Sequence, residues 1–377
     1  MSYFRSHPLA SALISGAVFC SWLVVFDWYK SPQLVVPAIT ALQAPSLDGD
    51  ISDDVWALAQ PVDVLTRHGA NFGGSGETTV VVRAVHDSQY AYIALEWDDP
   101  TRSLEYMPLY KDGDGWHSLQ ASANTANELH FFDDRIAIML APPGVQLIGG
   151  AIHLGKRPLS EAPASMTGRG LHYTAAGKMV DLWIWHAALG ALTDRVQDDY
   201  LGPPLPFSAE QMAGQERYLG GIGEDDPSRP VGTKNFAPEP GADAGEVLPL
   251  TLPATGPVTT DQISAGADVS DPPEQDQLWA IRYSQARPYS PGEDSRFPDG
   301  AVIPGVVVDD SVLPGPQDVV ARGKWAGGHW VLELRRSLKG GPKDIAFADG
   351  TMLWFAVFDH SQSRHTYHLR PLIVEMP

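Results

Sequence analysis

The apolar positions of this chain fall into short runs that predict strands. Met352–Phe358 is apolar without a break and stands between Asp349-Gly350 and Ser361-Gln362-Ser363. A run that short, closed by turn residues at both ends, predicts a strand covered on both faces. Arg135-Ile136-Ala137-Ile138-Met139-Leu140 alternates instead. Strand parity sends Ile136, Ile138 and Leu140 to one face, and Arg135, Ala137 and Met139 to the other. The isoleucine face calls for a hydrophobic core. On the opposite face a small residue beside a thioether leaves room for something flat, unless Met139 simply fills a packing gap.

Thr78–Val85 and Tyr90–Trp97, joined by Asp87-Ser88, predict a hairpin. Trp325, the turn Ala326-Gly327-Gly328 and the alternating His329–Arg335 predict a second. Trp279–Tyr283 and Val302–Val308 add shorter strand signals, and Asp53-Asp54 before Val55-Trp56 predicts a short helix. Gly149–Pro206 is expected to be irregular. It is rich in Gly, His and Trp, including His153, His172, Trp183, Trp185 and His186. A long aromatic loop with histidines usually serves a site. The regular segments are nearly all short strands between Gly, Pro and Asp turns. The expected fold class is therefore all-β, an antiparallel β-sandwich with long irregular loops.

Two stretches depart from that pattern. Leu9–Phe26 is eighteen residues without a formal charge, preceded by Arg5 and followed by Trp28, Tyr29 and Lys30. It predicts one N-terminal transmembrane helix. A signal peptide is the competing reading, but no Ala-x-Ala cleavage site follows the run. Residues 223–277 carry eleven acidic residues and two basic ones, Arg229 and Lys234. That composition predicts a solvated, largely disordered insertion whose deletion from Asp226 to Pro273 leaves folding intact. Glu224-Asp225-Asp226 within it is a conceivable calcium site, without the spacing of a known loop. The expected plan is an N-terminal anchor or uncleaved signal at 1–30, a Pro-containing tether at 31–45, and one β-sandwich domain at 46–377 interrupted by the acidic insertion at 223–277.

With 377 residues, the chain is long enough for one large or two ordinary domains. Its formal charge of −20, with no basic patch, argues against nucleic acid as a partner and suits a cationic one. The single cysteine, Cys20, excludes a disulfide within the chain, a Cys-x-x-Cys-His haem attachment, an iron–sulfur cluster and a cysteine zinc site. No hydrolase triad spacing or phosphate loop occurs, so catalysis by this chain alone is not expected. The candidate chemistry lies in His360, His365 and His368, which follow the Met352–Phe358 strand. Imidazole is a strong ligand for iron and zinc, and a rigid strand can aim it into a pocket. The plain alternative is a polar strand end whose histidines bond backbone or solvent. By parity His365 and Tyr367 share a face, and His368 lies on the other.

Several stretches, taken in order, carry a family resemblance. They are Leu47-Asp48-Gly49-Asp50 with Trp56, Val82–Asp87, Trp97–Ser103, Pro108–Lys111 with Gly115-Trp116, and Asp134–Leu140. Gly168–Thr174, Asp181–Trp185, Trp330–Arg335 and Phe358–His368 complete the set. Together they resemble the haem-binding gamma subunit of ethylbenzene dehydrogenase and its relatives, a family similar in fold to family 9 carbohydrate-binding modules. The resemblance implies a β-sandwich holding one non-covalent haem b, used for electron transfer outside the cytoplasm. It implies a methionine ligand to the iron, carried over to Met139. It also implies a lysine ligand, whose position here is His365. His360 and His368 remain alternatives for that second ligand, and Ala137, Tyr367, His172 and Trp183 are expected near the haem. The implied role is a membrane-anchored, non-catalytic subunit of an oxidoreductase with its main domain on the periplasmic side. Its redox partner would be a molybdenum-enzyme complex or a cytochrome, with electrons passing to a respiratory chain. The competing readings are a haem-free carbohydrate-binding sandwich, in which Trp116, Trp183 and Trp185 stack on sugars, and a structural subunit of a larger complex.

Overall fold

The computed structural model describes residues 31–118, 132–143, 174, 177–203, 221–238, 246–256, 258–259, 279–316, 318–361 and 364–377. The anchor expected at 1–30 and His172 lie outside the described residues. Among the described residues no helix is long and apolar enough to cross a membrane.

Two sheets face each other across one core, forming a β-sandwich. The five-stranded sheet is antiparallel, in the order Val62–Thr66, Thr78–His86, Tyr90–Asp98, His329–Ser337, Val320–Trp325. Both predicted hairpins are in it, joined where Tyr90–Asp98 pairs with His329–Ser337. The seven-stranded sheet runs Gln33–Val35, Leu372–Glu375, Met352–Phe358, Arg135–Ala141, Val180–His186, Gln197–Leu201, Ile222–Glu224. Its first pair is parallel and the rest are antiparallel.

The alternation read from the sequence decides which residues meet between the sheets. Ile136, Ile138, Leu140, Leu353, Phe355 and Val357 pack against Val80, Val82, Ile93, Leu95, Leu332 and Leu334. Burying each such side chain contributes roughly 1.5–3 kcal/mol. Trp97 and Trp330 stack at 6.2 Å, and Trp185 reaches across from the other sheet, edge-on to Trp330 at 5.1 Å. Gly323 makes that crossing possible, because a Cβ there would come within 2.3 Å of the Trp185 ring. On the outer side of the five-stranded sheet, Trp56 of a 3-10 turn, Asp54–Leu58, donates its indole N–H to the buried Glu333 at 2.9 Å.

Four expectations are corrected. The stretch read as a tether contains an edge strand: Gln33–Val35 pairs with Leu372–Glu375, and Leu34 and Val36 are fully buried. Val180–His186, expected to be irregular, is an inner strand of the seven-stranded sheet. It is covered on both faces, so it shows no alternation. It also carries Asp181, which a buried Arg336 compensates at 2.7 Å.

The acidic insertion is the third. Its described residues form short strands that pair with distant parts of the chain. Thr233–Lys234 joins Val306–Val308, Thr251–Pro253 joins Ala286–Pro288, and Val258–Thr259 joins Ala301–Ile303. Phe236–Pro238 pairs with Val247–Pro249. Val247 and Leu252 are buried with Leu109, Trp116 and Ile303, and Val231 with Met107 and Val306. The buried Asn235 ties the layer together. Its amide donates to the carbonyls of Thr251 and Pro304 and accepts the Thr251 N–H. Finally, 364–368 is not a regular strand, since only Tyr367 pairs, with Arg67.

Candidate functional site

The outer face of the seven-stranded sheet carries three rows of side chains across its inner strands. Register aligns Met139 with Trp354 and Leu182, Ala137 with Ala356 and Ile184, and Arg135 with Phe358. The first row is a buried apolar cluster. The middle row is half-buried, and two of its three residues are alanines. In the third row the Arg135 guanidinium lies 4.5 Å from the Phe358 ring centre, and the His365 ring packs on Phe358 at 4.8 Å. Tyr367 stands edge-on to His365 at 6.2 Å, with His68 beyond it at 5.3 Å. His365 Nδ1 lies 3.1 Å from the Thr366 carbonyl.

Met139 and Ala137 therefore share a face, and His365 and Tyr367 stand at its far end. Strand rise separates the Met139 row from the Phe358 row by about 13 Å. Met139 and His365 are the residues that would hold a flat ring standing on the alanine row. Ala356 completes that floor; sequence reasoning missed it, although it is the one small residue in its apolar run. The donor set, a thioether and an imidazole, fits a haem.

Other expected site residues lie elsewhere. Trp183 is aligned with Ile138 and points into the core, fully buried, with the Arg336 guanidinium 5.1 Å from its ring centre. Strand parity puts it on the opposite face from Met139. His368 stacks on Phe355 at 5.8 Å. Its Nε2 accepts the Phe355 N–H at 2.9 Å, and its Nδ1–H donates to the Arg370 carbonyl at 2.7 Å. Burial pushes its pKa down to about 4, so it is neutral. It caps the Met352–Phe358 strand beyond the point where pairing with Leu372–Glu375 ends, and both ring nitrogens are used.

His360 belongs to a third environment, the acidic end of the sandwich. Its backbone N–H donates to Asp134 at 3.0 Å, and its ring lies against the Asp359 carboxylate. Asp134 also accepts from Ser103 N–H at 2.8 Å and Trp330 Nε1 at 3.2 Å, and Asp359 accepts from Phe72 N–H. Burial, then the Asp359 charge, pushes Asp99 up to about 8, and burial pushes Glu105 up to about 7. These folded-state values lie above the unfolded ones. The stability they contribute is thus complete at low pH and is lost as pH rises through about 7 to 8. His368 acts in the opposite sense, but only below its unfolded value of about 6.5. The melting temperature is therefore expected to fall as pH rises from about 4.5 to 8, least steeply below about 6.5 where His368 opposes, and Glu105→Gln to flatten the part of that slope below about pH 7. Scanning calorimetry across this range checks it; an unchanged slope in Glu105→Gln contradicts it.

A thioether, a small-residue floor and an imidazole on one outer face of a β-sandwich make up the candidate site. Residues 53–370 match the family described as ethylbenzene dehydrogenase, and the chain belongs to that family. Solved structures similar to it include a family 9 carbohydrate-binding module from Caldicellulosiruptor kristjanssonii in complex with cellotriose. That match has 9% identity and a TM-score of 0.30, covering 92% of this chain and 94% of that one. The glucose complex matches at 8% identity and a TM-score of 0.30, covering 91% and 96%. No curated protein matches.

Proposed function

We propose that this chain is a haem b-binding electron-transfer subunit of an oxidoreductase, anchored by residues 9–26 with its sandwich outside the cytoplasm. The observation that carries the reading is the half-buried alanine row on the outer face, between Met139 and the His365–Phe358 pair. Family membership supports it. Bound there, a haem supplies a one-electron couple whose potential thioether ligation raises. The chain's own part is to hold Met139 on a rigid strand, to fix the His365 ring between Phe358 and Tyr367, and to keep the floor small. The charge of −20 favours a cationic face on the redox partner, whether a molybdenum-enzyme complex or a cytochrome.

The carbohydrate reading gains nothing from its expected tryptophans. Trp116, Trp183 and Trp185 are all buried and offer no exposed ring to a sugar. The test is the visible spectrum of full-length protein produced with ample haem, oxidised and then dithionite-reduced. A low-spin b-type spectrum is expected; purification without haem refutes the proposal.

A further inference from the structure

We propose that Asp181, Asp198, Asp225 and Asp344 form a binding site for a divalent cation of the calcium type, independent of any haem. Asp181 and Asp198 come from the adjacent strands Val180–His186 and Gln197–Leu201. Asp181 is aligned with Tyr200 and Trp183 with Asp198, so the two aspartates are diagonal neighbours on the inner face. Asp225 follows the edge strand Ile222–Glu224, and its N–H donates to the Asp198 carbonyl at 3.1 Å. Asp344 is set by a turn in which the Gly341 N–H donates to Asp344 Oδ2 at 2.5 Å. Gly340 is required beside it, with φ +65° and space that a Cβ would lose to the Asp344 side chain at 2.4 Å.

One ligand atom each of Asp181, Asp198 and Asp344 lies within 4.8 Å of the others. Oxygens bound to one calcium at about 2.3–2.6 Å have that spacing. Asp225 lies beside Asp344 and extends the set. The donors are all oxygen, which selects hard cations over zinc or copper.

A second observation is independent of the clustering. Asp181 is 1% exposed, and its Oδ2 already takes Arg336 Nη2 at 2.7 Å and Ile345 N–H at 3.3 Å. Its Oδ1 is buried without a partner, as are Oδ1 of Asp198 and of Asp225. A buried carboxylate oxygen without a donor is costly, and a cation satisfies it. The local charges agree. Arg336 pairs with Asp181 and Asp344, and the Lys343 ammonium bonds the carbonyls of Glu224 and Asp225 at 3.1 and 3.3 Å, so the carboxylates outnumber the cations beside them. The site opens on a cavity of about 650 Å³ lined by Asp198, Asp225 and Asp344 together with Arg195 and Glu224, which gives an ion a way in.

The test uses full-length protein freed of metal by a chelator. Terbium luminescence excited through tryptophan should saturate and be displaced by calcium, and Asp198→Asn should weaken binding at least tenfold. At a hundredfold excess over Kd, calcium should raise the wild-type melting temperature by about 5 °C and leave the variant unmoved. Asp225→Asn, at a half-buried position, repeats the measurement should Asp198→Asn fail to fold. No saturable terbium binding by the wild type, or a calcium shift that persists in these variants, overturns the proposal.

Discussion

His365→Ala, in full-length protein supplied with haem, is expected to lose most of its haem or to hold it high-spin. The imidazole at the Phe358 end of the outer face is the stronger of the two candidate ligands, and its loss leaves the weaker thioether alone. Met139→Ala is expected to keep haem through His365, with a lower reduction potential or a sixth position open to carbon monoxide. Its cost in fold stability should be about 2 kcal/mol, the low end for a buried methionine, because the space opens on the cofactor side. His368→Ala is the internal control. Its ring bonds Phe355 N–H and the Arg370 carbonyl, so the variant should lose about 1–3 kcal/mol of stability with an unchanged spectrum. Spectra, redox titration and thermal melts of the three variants check this. Haem lost in His368→Ala but retained in His365→Ala would refute the assignment.

Deleting Asp226–Pro273 and closing the gap with a short flexible linker is expected to unfold the protein or to lower its melting temperature by about 10 °C or more. The deletion removes Val231, Val247 and Leu252 from two apolar clusters and the Asn235 hub from the 301–308 strands. It also takes away the Arg229 and Pro230 carbonyls that hold the Arg195 guanidinium. Three buried aliphatic side chains alone contribute on the order of 5 kcal/mol, against a typical total of about 5–15 kcal/mol. Loop closure is a minor term here. A deletion variant that melts within a few degrees of wild type would show that this layer adds nothing.

Composition alone led to the opposite expectation for that segment, and the reason is physical. Its strands are two or three residues long, and most take partners from outside the segment, so no periodicity builds up along the chain. Arg135–Leu140 and Met352–Phe358 were legible because whole strands are buried on one face or on both. Val180–His186 was hidden by Asp181, since a charge inside a strand looks like a loop until Arg336 is seen beside it. In the candidate site, Met139 and Ala137 were readable from parity. Parity set His368 apart from His365, but 364–368 is no regular strand and parity does not govern it, so the sequence left all three histidines open as ligands. The calcium-like quartet was out of reach. Its four carboxylates come from four separate stretches, and only Asp225 stood in an acidic run.

The parallel pairing of Gln33–Val35 with Leu372–Glu375 bears on biosynthesis. Gln33 is aligned with Ile373, so the first described strand waits for the last described one. During translation the Thr78–His86 and Tyr90–Asp98 hairpin can form early, since its pairing is local. The seven-stranded sheet cannot close its edge until the C-terminal strand has left the ribosome. Contacts that far apart in sequence make for slow assembly with a long-lived open edge, a state that chaperones hold apart from aggregation. A chain shortened before Leu372 would keep that edge open for good.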